Sequence, residues 1–138
     1  MKPYELIDHT ADIGLKAHGK TLSEAFAHAA QGMFDIITNS SKIESKGEYS
    51  IELSADSLEQ LLVDWLNELL FLQGAENLVF GEFIVNVDEK RRMLSATVSG
   101  EEFDRVKHRA GMEIKAVTYH MLEVQSGSPC FVQVLFDI

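Results

Sequence analysis

Cysteine is almost absent from this 138-residue chain: Cys130 is the only one. An internal disulfide and a thiolate metal cluster are both excluded. Cys130 sits in an apolar run, Cys130-Phe131-Val132, which suits a buried structural thiol better than a nucleophile. Cations are scarce, with 12 Lys and Arg against 22 Asp and Glu, a formal charge of −10. A chain so acidic lacks the clustered cations that grip a phosphate backbone. It suits divalent cations or a basic protein partner, although acidity also serves plain solubility. Proline occurs twice and tryptophan once. No apolar run approaches the ~20 residues that span a bilayer. The first residues, Met1-Lys2-Pro3-Tyr4-Glu5, lack the apolar core of a signal peptide, so a cytoplasmic protein with no membrane association is expected.

Several catalytic signatures are missing as well. Gly14 and Gly19 build neither G-x-G-x-x-G nor a Walker A loop. G-x-S-x-G and H-E-x-x-H do not occur. The five histidines, at 9, 18, 28, 108 and 120, are scattered, and His18 and His28 read as surface residues.

What is present suffices for one core. Hydrophobic residues make up 46% of the chain, and neither a linker nor a low-complexity segment interrupts it, so residues 1–138 read as a single domain. Tyr4 to Ile7 suits a strand, and Ile13, Leu15 and Ala17 alternate with polar or small neighbours in a second. Asp8-His9-Thr10-Ala11-Asp12 is then a tight connection. Thr21-Leu22-Ser23-Glu24 has capping-box spacing. The stripe Leu22, Phe26, Ala29, Met33 and Ile37 predicts a helix ending at Asn39-Ser40-Ser41. A strand follows around Glu48 to Leu53. Asp56-Ser57-Leu58-Glu59 repeats the capping logic before Leu58, Leu62, Trp65, Leu69 and Leu72, with Gly74 as the expected stop. Phe83 to Val87 and Leu94 to Val98 form a hairpin, Glu101 to Gly111 an exposed basic loop, and Lys115 to Val124 and Cys130 to Ile138 two further strands. The order β-β-α-β-α-β-β-β-β, joined mainly by hairpins, predicts an α+β fold: a two-layer sandwich, with a mostly antiparallel sheet carrying two helices on one face.

Four places carry candidate chemistry. Asp137 is followed by Ile138 and its α-carboxylate; consecutive anions suit a hard cation, while a frayed, solvated terminus is the plainer reading. Asp8 and Asp12 bracket a turn that Asx-type bonds alone explain. If the first and last strands are neighbours, Asp12 meets Asp137. Asp64 and Glu68 are like charges one helical turn apart, a small cost that marks either a binding face or an ordinary solvated one. Lys115 opens a strand after the basic loop.

Taken together, His9-Thr10-Ala11-Asp12-Ile13-Gly14, Asp64-Trp65-Leu66-Asn67-Glu68-Leu69-Leu70, Ile114-Lys115-Ala116-Val117-Thr118-Tyr119-His120 and Phe136-Asp137-Ile138 resemble the archease family, in order and over essentially the whole chain. The resemblance implies a non-enzymatic accessory protein of an RtcB-type RNA ligase in tRNA splicing and RNA repair. Its role would be to promote ligase guanylylation and multiple turnover, with tRNA met only through the ligase. It implies a divalent ion, Ca2+ by preference with Mn2+ or Mg2+ as alternatives, bound by Asp12, Asp137 and Ile138. His9, Asp64, Glu68 and Lys115 would serve partner binding, and no residue of this chain would be catalytic. The competing expectations are a general chaperone or modulator of RNA-processing enzymes and a metal-dependent hydrolase. The hydrolase lacks an evident general base.

Overall fold

The computed structural model describes residues 3–9 and 12–138. Thr10, Ala11 and the side chains of Asp8 and His9, all within the connection expected before Asp12, lie outside the described residues. The elements are β1 (Tyr4–His9), β2 (Asp12–Gly19), α1 (Leu22–Thr38), β3 (Gly47–Ser54), α2 (Leu58–Glu76), β4 (Leu78–Asp88), β5 (Met93–Glu102), β6 (Ala116–Gln125) and β7 (Cys130–Asp137). This is the order expected from the residue pattern.

Both helices start where their caps are written. The Thr21 hydroxyl accepts the Glu24 N–H at 3.2 Å, and the Glu24 carboxylate reaches back to the Lys20 N–H. The Ser57 hydroxyl accepts the Gln60 N–H at 3.0 Å. These side chains satisfy donors that the first helical turn leaves orphaned. The α1 stripe from Leu22 to Met33 is buried, as are Leu62, Trp65 and Leu69 of α2. The stop expected at Gly74 is displaced: α2 runs on to Glu76, and Asn77 takes the left-handed cap at φ 55°. Asparagine tolerates that conformation, so a glycine was not required there.

The α+β class and the antiparallel pairing are as expected, with one difference. The seven strands divide into two sheets, β1-β2-β7-β6 and β3-β5-β4, where a single sheet was expected. Alternation reveals a strand's buried face but not its neighbour. Both helices pack against both sheets. Aromatic side chains fill the interior. Phe34 of α1 meets Phe80 edge-on at 5.5 Å and stacks on Phe83 at 5.9 Å, both from β4. The Trp65 indole N–H of α2 donates to the Phe26 carbonyl of α1 at 3.0 Å, tying the helices together. Tyr4 secures β1 to α1 through its hydroxyl, which donates to Asp35 at 2.6 Å; burial first, then Asp35, pushes its pKa up to about 12. Cys130 is buried as expected, and burial raises its thiol pKa. Among the described residues, no helix is long and apolar enough to cross a membrane.

Candidate metal and partner-binding site

The first sheet brings the two ends of the chain together. β2 begins at Asp12 and β7 ends at Asp137, and they pair antiparallel from Asp12 opposite Asp137 to Gly19 opposite Cys130. Residues directly opposite one another in a ladder share a face, with Cβ atoms about 5 Å apart. Asp12 is half-buried and Asp137 exposed. Like charges set opposite each other cost stability unless a cation lies between them. On the far side of β7, Ala116 pairs with Asp137, and the Lys115 N–H donates to the Asp137 carbonyl at 2.7 Å. Ile138 follows, its side chain packed on the core, which holds the end of the chain beside this row. The backbone of His9 lies opposite Asp12 in the β1–β2 register.

One row thus unites Asp12, Asp137, Ile138, Lys115 and the His9 backbone. Lys115 precedes β6, where it was expected to open the strand, and its side chain is exposed. Asp64 and Glu68 belong to a different neighbourhood. Asp64 accepts the Gln60 amide at 2.8 Å, and the same amide nitrogen donates to the Tyr119 hydroxyl of β6 at 3.1 Å. Among the described residues, no group of three or more His, Cys, Asp or Glu side chains is arranged to hold a metal. Two aspartates fit a hard cation through their oxygen donors, and among the described residues a further donor has to come from a group other than a His, Cys, Asp or Glu side chain.

The segment from Glu101 to Gly111 is largely exposed, as expected, but it is anchored to the rest of the protein through two buried residues. Glu101 and His108 are buried. The Glu101 carboxylate accepts Lys107 Nζ at 2.8 Å, His108 Nε2 at 2.9 Å and the Glu44 N–H at 2.8 Å, with Lys46 Nζ at 3.6 Å. Burial alone would raise its pKa; Lys107, the Glu44 N–H and His108 together overcome that and bring it down to about 2. The Asp104 N–H donates to His108 Nδ1, so Nε2 carries the ring proton that Glu101 receives. Gly111 and Met112 donate their N–H groups to Ile37 and Ile36, closing carbonyls at the end of α1. A Cβ at Gly111 would collide with the Ile36 carbonyl. Arg109 donates to the Asn39 carbonyl at the same helix end, where a cation suits the helix dipole. Charge composition marked this stretch as solvated. Only the folded contacts show that Lys107, His108 and Arg109 serve the protein itself.

Comparison with known proteins points one way. Residues 4–138 match the model of the Archease protein family. Protein archease of Pyrococcus furiosus is 44% identical over 127 residues, covering 91% of this chain and 89% of that protein. Protein archease of Sulfolobus acidocaldarius is 40% identical over the full length of both chains. The solution structure of Methanobacterium thermoautotrophicum protein 1598 superimposes with a TM-score of 0.86 at 37% identity, over 100% of both chains.

Proposed function

The chain belongs to the archease protein family, and from that membership we propose that it activates an RtcB-type RNA ligase in tRNA splicing and RNA repair. It acts as a cytoplasmic accessory protein and performs no chemistry of its own. It promotes ligase guanylylation and repeated turnover, and meets RNA through the ligase. The observation that carries this reading is the Asp12–Asp137 register, in which two carboxylates face each other at one end of the first sheet. Asp12, Asp137 and the Ile138 α-carboxylate would hold a divalent ion, Ca2+ before Mn2+ or Mg2+. Three oxygen donors with no nitrogen or sulfur suit a hard cation. When bound, such an ion supplies positive charge at an otherwise acidic surface. The chain's own groups would do the rest: Asp12 and Asp137 offer their oxygens from adjacent strands, the Lys115 backbone N–H pins the last residue of β7, and Ile138 packs its side chain on the core.

The test is ligase turnover with Asp12→Ala and Asp137→Ala protein. Loss of multiple turnover with retained fold is the expected result. Full stimulation by both variants removes the metal-centred reading. A C-terminal extension, which turns the Ile138 carboxylate into an amide, should weaken Ca2+ binding more than an N-terminal one. Equal effects would exclude that carboxylate as a ligand.

A further inference from the structure

We propose that the solvent stripe of α2 and the adjoining bulge of β6 form a docking surface for a basic, arginine-bearing protein face. The proposal rests on the reading above, in which that partner is the ligase.

The bulge is conspicuous. β6 pairs with β7 up to Thr118 opposite Leu135 and resumes at Glu123 opposite Gln133. Tyr119 to Leu122 therefore stand against Val134 alone and leave the ladder. Met121 holds φ 59°, a left-handed conformation that residues with a side chain rarely adopt. The Gln133 amide holds it there, donating to the Met121 carbonyl at 3.0 Å. Its product is exposure: Tyr119 is 62% and Met121 41% accessible, in a protein that buries Trp65 and most of its phenylalanines. The Tyr119 ring is not loose. Gln60 of α2 grips its hydroxyl while holding Asp64, so phenol and carboxylate are presented side by side.

α2 continues the surface. Gln60, Asp64, Asn67, Glu68 and Phe71 fall within about 100° of one another on a helical wheel. Phe71 is 63% exposed. The combination of aromatic faces with carboxylates suits guanidinium groups, which stack on rings and pair with carboxylates. Asp64 and Glu68 repel each other when the surface is bare, and a cationic partner relieves that repulsion. Charge decides among other occupants: a chain of net charge −10 disfavours nucleic acid, anionic lipid and a second copy of itself. The surface is also well placed. β6 starts opposite Asp137, and Tyr119 lies only about 10 Å further along the strand.

The test is equilibrium binding of the full chain to a purified RtcB-type ligase, with Tyr119→Ala, Asp64→Lys, Phe71→Ser and, as control, Glu52→Lys on the outer face of the second sheet. The first three should each weaken binding about tenfold or more, leaving the calcium-induced thermal shift intact; the control should bind as wild type does. If Asp64→Lys disturbs folding, Phe71→Ser and Tyr119→Ala, which truncate exposed rings, decide the matter. Wild-type binding matched by all three variants overturns the docking surface and leaves the ligase reading standing. Failure of the wild type itself to bind overturns both.

Discussion

The molecule treats its carboxylates in two opposite ways. Glu101 is buried and surrounded by donors: Lys107, His108, the Glu44 N–H and, further off, Lys46. Asp12 and Asp137 are brought opposite each other at the end of a ladder, where each meets a like charge. The first arrangement is complete within the chain and holds a loop against α1. The second places two carboxylates opposite each other at the end of the first sheet, Asp12 half-buried and Asp137 exposed. Compensated burial marks a carboxylate that supports the fold. The pairing of Asp12 with Asp137 is instead the feature on which the proposed ion site rests.

The contrast is most easily broken at Glu101. Replacing it with alanine should destabilise the protein by about 3 kcal/mol, because His108 and the Glu44 N–H lose their buried partner. Urea denaturation measures this, and a loss under 0.5 kcal/mol would show that the anchoring is incidental. A subtler expectation concerns pH. Glu101 has a folded pKa of about 2 against 4.5 as its ordinary value. A depressed carboxylate pKa means that the folded state favours the charged form. The stability it contributes is therefore fully present above pH 4.5 and is lost as pH falls from there towards 2. Denaturation midpoints across that window should flatten in Glu101→Gln relative to wild type; an unchanged slope would assign acid sensitivity to other groups. The smallest effect, and the one of opposite sign, belongs to Asp137. In chelator-treated protein, Asp137→Asn should leave stability equal or raise it by a few tenths of a kcal/mol, since it removes a cross-strand repulsion. With calcium present the order should invert, the wild type gaining stability by mass action and the variant not. A variant less stable than wild type in both conditions would mean that Asp137 is a structural carboxylate like Glu101.

Much of this was legible along the chain. Thr21 and Ser57 announced the helix starts, since caps are local chemistry. The stripe of α1 and the alternation of Leu15 and Ala17 announced buried faces, since periods of 3.6 and 2 follow from backbone geometry. Asp12, Asp137 and Ile138 were singled out by type and resemblance. Their register was not, because strand pairing depends on partners far apart in sequence. The basic run at 105–109 is exposed at Arg105, Lys107 and Arg109, as its charge implies; that Glu101 receives Lys107 and His108 is not legible in composition, because those contacts form only on folding.

The sequence by itself determined the element order, the two caps, the buried thiol and the family, all of which rest on local pattern or on residue identity. The tertiary structure decided the division into two sheets, the meeting of Asp12 with Asp137, the enclosure of Glu101 and the protrusion of Tyr119 and Met121 from β6. Those depend on which distant segments the hydrophobic core draws together, and no local period carries that information.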